Sequence, residues 1–261
     1  MKKLHYFTPL VASLAVAANV ACSSGQYGVT GVERSRILVD SRYDNISSEG
    51  AKAAADYLAQ RRTKVDSLMS PVMGVADCNM SSGRPESALS NLLADILVWS
   101  SREFGETPDF AVYNIGGIRA SLSKGNVTRG DILDVAPFEN KICFLTLSGK
   151  DVLELFEQIA KVGGEGVSRA VHLEIVPGKR LVSAQLNGKP VDPNASYRVA
   201  TLDYLAQGND HMEAFKKKTN VLSPTGEKNN VRFLIENYFK AFAAQGKSVS
   251  SKVEGRMTII K

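Results

Sequence analysis

Histidine is scarce in this 261-residue chain: His5, His172 and His211 stand singly, far apart in sequence. A dinuclear metallohydrolase centre needs several His together with Asp and Asn, so the chain is not expected to build one itself. Cysteine is equally rare. Cys22, Cys78 and Cys143 are too few for a disulfide scaffold and wrongly spaced for a zinc motif. One-sided charge is missing as well: 32 Lys plus Arg oppose 27 Asp plus Glu, and setting aside residues 1–21 lowers the excess to +3. That surplus is too small for a nucleic-acid-binding surface, so no nucleic-acid partner is expected. No repeat, low-complexity tract or Pro/Gly-rich linker interrupts residues 50–261. What remains is a composition with 44% hydrophobic residues, that of a folded globular protein long enough to bury a full core.

The N-terminus reads as an export signal. Lys2 and Lys3 precede an apolar stretch over residues 10–18, too short to span a bilayer permanently and of the length of a signal-peptide core. Residues 1–21 are therefore expected to be removed. Asn19-Val20-Ala21-Cys22 resembles a bacterial lipobox, with Asn19 where an aliphatic residue is usual. Lipidation of Cys22 would anchor the chain on the periplasmic or cell-surface side of the membrane, and ordinary signal cleavage is the alternative. Residues 22–49, polar and turn-rich, read as a tether. In that oxidising compartment Cys78 and Cys143 can pair or stay apart, and their spacing does not choose.

Periodicity sets out a single α+β domain over residues 50–261, with mixed sheets and flanking helices. Ala54, Tyr57, Leu58, Val65 and Leu68 keep the spacing of a long amphipathic helix, and a second helix runs from Ser87 to Glu103. Residues 71–76, 110–113, 142–147 and 197–200 read as strands. Thr128 with Asp131, and Ser148 with Asp151, carry N-cap signatures that open two further helices. Val171, Leu173 and Ile175 alternate with polar residues, His172 among them as a structural strand histidine. Leu181 to Leu186 runs into Asn187-Gly188, a hairpin signal. A last helix passes through Val231, Leu234, Ile235, Tyr238 and Phe242.

Three loops carry chemistry. Asn114-Ile115-Gly116-Gly117-Ile118-Arg119 follows an apolar strand, where paired glycines let backbone amides approach a ligand and Arg119 can grip an anion or the edge of a ring. A plain glycine turn with a solvated arginine satisfies the same spacing. Pro137-Phe138-Glu139-Asn140 can present a ring face from Phe138 and a donor–acceptor pair from Asn140, or serve as core filler and turn former. Residues 202–210 leave the Tyr197 strand and turn at Gly208. There Tyr204 offers a second ring and Asp210 a carboxylate, or else the stretch is a surface turn.

Together these loops, with Arg84-Pro85-Glu86-Ser87 leading into the second helix and Val191-Asp192-Pro193 before the Tyr197 strand, resemble in their order the C-terminal domain of 5′-nucleotidases. The resemblance implies a nucleoside site in which Phe138 and Tyr204 sandwich the base and Asn140 meets its edge. It also implies that Arg119 contacts the substrate and that Asp210 holds the sugar or base, with Asn114, Gly116 and Gly117 completing the pocket. Arg84 reads instead as an exposed surface arginine. Where the family has Gly-Gly-Asp-Gly-Tyr this chain has Gly208-Asn209-Asp210-His211-Met212. Asn209 suits a left-handed conformation, and His211 suits it less. Ile115 and Glu139 also replace family glycines.

The family's hydrolytic machinery lies in an N-terminal metallophosphoesterase domain, for which this sequence offers no Asp-x-His or Asn-His-Asp/Glu motif. Since the chemistry needs metals to generate hydroxide and neutralise phosphoryl oxygens, the chain is expected to bind no cofactor and not to hydrolyse phosphate esters alone. Two functions fit. One is the nucleotide-recognising half of a split 5′-nucleotidase, with divalent metals on a separate exported metallophosphoesterase. The other is a stand-alone nucleotide-binding or surface-interaction lipoprotein.

Overall fold

The computed structural model describes residues 49–178 and 180–260. The signal peptide, Cys22 and the tether up to residue 48 lie outside the described residues. The chain divides into two compact units, Met1–Asp56 and Tyr57–Lys261, and the architecture below belongs to the second. Among the described residues no helix is long and apolar enough to cross a membrane.

Helix α1 spans Glu49–Met69, and none of its residues is buried. Its spacing predicts an apolar stripe against a core, yet Tyr57, Leu58, Val65 and Leu68 are all exposed. The segment is rich in Ala, Leu, Lys, Arg and Gln, so local helix propensity favours the helix here without burial of its apolar face. Strand β1 (Val72–Ala76) follows and pairs antiparallel with β3 (Gly125–Thr128). Between them lie α2 (Ala88–Ser100) and β2 (Phe110–Tyr113). The Ser87 side chain accepts from the Ser90 amide in a capping box. Downstream of Ser100 the expected helix tightens into a 3₁₀ turn, Ser101–Phe104, closed by Gly105 at φ 67°. Both predicted acidic N-caps form: Thr128 with Asp131 opens α3 (Arg129–Val135), and Ser148 with Asp151 opens α4 (Gly149–Lys161). Each such cap is worth about 1 kcal/mol by satisfying an otherwise unpaired amide.

The centre is a five-stranded mixed sheet in the order β10-β4-β9-β2-β5, built from β4 (Ile142–Ser148), β5 (Gly166–Val167), β9 (Ser196–Leu202) and β10 (Thr219–Leu222) together with β2. Strand alternation sends side chains to both faces. Phe110, Val112, Leu145 and Val199 enter one cluster with Val152, Leu155, Phe156 and Ile159 of α4. Ala111, Tyr113, Phe144 and Ala200 enter another with Leu89, Leu92 and Ile96 of α2 and with Leu234 and Ile235 of α6 (Val231–Ala243). Burying each large side chain contributes about 1.5–3 kcal/mol, so the sheet is held from both sides. A four-stranded sheet, β11-β6-β7-β8, uses β6 (Val171–Val176), β7 (Arg180–Leu186), β8 (Lys189–Pro190) and β11 (Met257–Ile259). The Asn187-Gly188 turn, with φ of 51° and 75°, joins β7 to the two-residue β8, while the Tyr197 strand becomes β9 of the central sheet.

Pairing directions place the three candidate loops together. β2 and β9 run parallel and β4 runs antiparallel to β9, with Ile142 opposite Leu202. The carboxyl ends of β2 and β9 therefore lie beside the amino end of β4. The residues after Tyr113, after Leu202 and before Ile142 all emerge at that end of the sheet, a common position for ligand sites in sheets with parallel strands.

Candidate functional site

The three loops enclose a cavity of about 220 Å³ lined by Asn114, Gly116, Gly117, Phe138, Asn140, Tyr204 and Asp210. Seven of the eight residues expected from sequence thus face one space. Arg119, the eighth, is not among the lining residues. Its guanidinium carbon sits 5.9 Å from the centre of the Phe138 ring, and Nη1 donates to the Gly116 carbonyl oxygen at 3.3 Å. The arginine thereby ties the glycine turn to the aromatic ring. Phe138 is 49% exposed and Tyr204 37%, so neither ring is spent in the core. A larger cleft of about 440 Å³ runs along Met69, Arg129, Ile132, Lys141, Phe233 and Glu236. None of the residues singled out from sequence as ligand contacts lines it, and it holds a single ring, that of Phe233.

Backbone anchoring holds each loop. Residues Ile115–Gly117 form a single 3₁₀ turn, and the Arg119 amide donates to the Val135 carbonyl just before the Phe138 loop. The Val231 amide donates to the Asn140 carbonyl, pinning that loop to the start of α6. Glu139 is ion-paired with Arg232 on the surface. The stretch expected to be a plain loop after β9 contains one helical turn, α5 (Asp203–Ala206). Asp203 starts it by accepting from the Lys141 and Tyr204 amides at 3.0 and 2.8 Å.

Asp210 is the hub. Tyr204 donates its hydroxyl to Oδ1 at 2.9 Å, and Asn114 Nδ2 donates to Oδ2 at 2.8 Å. The nearby carboxylate raises the Tyr204 pKa, because ionising the phenol would forfeit that hydrogen bond. Left-handed backbone delivers the carboxylate, at Asp210 and at the less suited His211, with φ of 53° and 65°, whereas Asn209 does not adopt it. Asn209 instead donates Nδ2 to the Tyr204 carbonyl at 2.8 Å, a side-chain clasp that spans the turn. Asn114 is buried and its Oδ1 has no hydrogen-bond partner among the described residues. A Cβ on Gly117 would fall 2.8 Å from that oxygen, so glycine is required there for the carboxamide to lie as it does.

One residue of the site escaped the sequence. Glu165, just before β5, is buried; its Oε2 accepts from the Ile115 amide at 2.5 Å and its Oε1 is ion-paired with Arg84. Burial pushes its pKa up, the Ile115 amide and Arg84 pull it down, and Asp210 adds a further upward push. Arg84 is exposed, as expected, but its guanidinium is not free, since Nε also donates to the Gly164 carbonyl at 2.8 Å. The available signal was an acid enclosed by glycines, Gly163-Gly164-Glu165-Gly166. Elsewhere, Cys78 and Cys143 are both free thiols. They belong to different sides of the sheet, Cys143 within one core cluster and Cys78 against the other. His172 lies in β6 opposite Gln185. Among the described residues no group of three or more His, Cys, Asp or Glu is placed to hold a metal ion.

The family described as "5′-nucleotidase, C-terminal domain" matches residues 70–217, more than half of the chain. Protein UshA of Yersinia enterocolitica is 31% identical over 162 residues, covering 61% of this chain and 29% of that protein. The trifunctional nucleotide phosphoesterase protein YfkN of Bacillus subtilis is 28% identical over 250 residues, covering 88% of this chain and 16% of that one. The crystal structure of a 5′-nucleotidase precursor from Thermus thermophilus superposes with a TM-score of 0.68 at 28% identity, over 81% of this chain and 43% of the other. The chain thus spans less than a third of the length of these two curated relatives. By the family match, the order of its loops and the fold they share, this chain belongs to the 5′-nucleotidase C-terminal domain family.

Proposed function

We propose that this chain recognises the nucleoside part of a nucleotide, and that a separate exported metallophosphoesterase supplies the divalent metals and cleaves the phosphate ester. The observation that carries the reading is the cavity itself, with the Phe138 and Tyr204 rings on its wall and Asn114, Asn140 and Asp210 facing the same space. An aromatic face stacked on a base contributes about 1–3 kcal/mol and accepts any base. The Asn140 carboxamide offers a donor and an acceptor to a base edge, and Asp210 keeps lone pairs for a sugar hydroxyl beyond those used by Tyr204 and Asn114. Arg119, behind Phe138, adds positive charge beside the bound nucleotide. Relatives named as a nucleotide phosphoesterase and a 5′-nucleotidase support nucleotides as the ligand class.

The donor set supports the division of labour, because phosphate-ester hydrolysis through paired metals draws on clustered His, Asp and Asn, and this sequence holds three scattered His. Binding energy from the nucleoside, remote from the reacting bond, would position the phosphate for chemistry done by the partner. Exposed Val65, Leu68, Val72 and Val75 provide apolar surface for such a partner. Export by residues 1–21 and lipid anchoring through Cys22 belong to the same proposal, with ordinary signal cleavage as the alternative to lipidation. The test is an AMP hydrolysis assay with added divalent metal: the purified chain should show negligible turnover and should raise the turnover of a co-purifying metallophosphoesterase. Robust hydrolysis by the chain alone overturns the reading.

A further inference from the structure

We infer that Glu165 is a positioning residue for the glycine turn of the nucleoside site, an inference that rests on the site reading above. Two carboxylates hold consecutive residues of that turn: Asp210 takes the Asn114 side chain at 2.8 Å and Glu165 takes the Ile115 amide at 2.5 Å. Gly116 and Gly117, which follow directly, line the cavity. The register explains the reach, because Gly166 of β5 lies opposite Tyr113 of β2 and Glu165 therefore emerges beside the turn. Arg84 fixes the carboxylate from the other side. Its guanidinium pairs with Oε1 and also binds the Gly164 carbonyl. The Gly163-Gly164 corner is pressed against Arg84-Pro85, where a Cβ on Gly164 would fall 2.3 Å from the Pro85 carbonyl oxygen. Glu165 is thus held rigidly on two sides and presents one acceptor to one backbone donor.

That donor matters because a buried amide stripped of its acceptor must find another or shift the chain that carries it. Without Glu165 the Ile115 amide would draw the turn out of place, moving Gly116, Gly117 and the Arg119 bond to Gly116 with it. The residue acts on ligand through the turn and touches none itself.

The experiment compares Glu165→Leu, which removes the acceptor, with Glu165→Gln, which keeps a carbonyl oxygen for the amide. Adenosine affinity is measured by calorimetry and Ile115 amide exchange by NMR, with circular dichroism confirming the fold. Glu165→Leu should weaken adenosine binding about tenfold or more and speed Ile115 exchange by a similar factor, whereas Glu165→Gln should restore both to near wild type. If Glu165→Leu fails to fold, Glu165→Ala at reduced temperature takes its place with the same two readouts. Unchanged affinity and exchange in the acceptor-less variant overturn the inference, as does a Glu165→Gln variant as impaired as the leucine variant. A wild-type chain that binds no adenosine overturns the site reading and the ligand-positioning role together. That result is told apart by the exchange data, which report on the turn without ligand.

Discussion

The Tyr204 hydroxyl donates to Asp210 Oδ1 at 2.9 Å, while the opposite oxygen of the same carboxylate receives Asn114 Nδ2 at 2.8 Å. One side chain therefore fixes an aromatic wall from the β9 loop and a carboxamide from the β2 loop. The cavity is preorganised across loops that are distant in sequence, and its fixed geometry lowers the entropic cost of binding.

Tyr204→Phe tests that coupling. The ring face survives and the hydroxyl is lost, so adenosine affinity should fall by no more than about tenfold, the worth of one exchanged hydrogen bond. Tyr204→Ala should cost more, because stacking goes as well. Calorimetric titration of both variants gives the comparison.

The Tyr204 phenol is itself a probe. Its pKa is raised chiefly by the hydrogen bond to the Asp210 carboxylate, so Asp210→Asn should bring it back toward the ordinary tyrosine value. Tyrosine-labelled NMR, followed as the pH is raised, resolves this ring from the others. An unmoved midpoint in Asp210→Asn would contradict the pairing.

Glu165 titrates in the opposite sense from most carboxylates. Burial raises its folded-state pKa above the unfolded value, so its favourable contribution is complete at pH below the unfolded glutamate range. That contribution is lost as pH rises through the raised value. Glu165→Gln removes the titration. Relative to wild type, its melting temperature should therefore improve as the pH is raised above the ordinary glutamate range. Parallel melting curves over that rise in pH are the check.

Gly117→Ala should damage binding more than folding. The added Cβ would lie 2.8 Å from Asn114 Oδ1 and must push the carboxamide off Asp210. Adenosine affinity should drop about tenfold, by loss of a charge-assisted hydrogen bond, while circular dichroism stays native. Equal affinity would show that the Asn114–Asp210 contact does not matter.

Much of this site is legible in the sequence because each loop directly follows or precedes a strand whose apolar pattern marks it. Phe110 to Tyr113, Ile142 to Leu147 and Tyr197 to Ala200 announce the strands, and Asn114, Asn140 and Tyr204 sit just beyond their ends. Glu165 is hidden because its role depends on β5, two residues long and without a periodic pattern, and on pairing with a strand more than fifty residues upstream. Propensity ranks Asn209 above His211 for left-handed backbone, and the structure reverses that order. Propensity favours Asn in general, but here the Asn209 side chain is committed to the Tyr204 carbonyl. The spacing identifies α1 as a helix, whereas the exposure of its apolar stripe is a tertiary outcome that periodicity does not contain.

The most direct measurement of the central claim is a calorimetric titration of adenosine and AMP into the wild-type chain and into Phe138→Ala/Tyr204→Ala. Two ring faces at about 1–3 kcal/mol each predict saturable wild-type binding that the double variant, still folded, loses by at least about 30-fold. Wild-type affinity in the double variant would contradict the aromatic clamp.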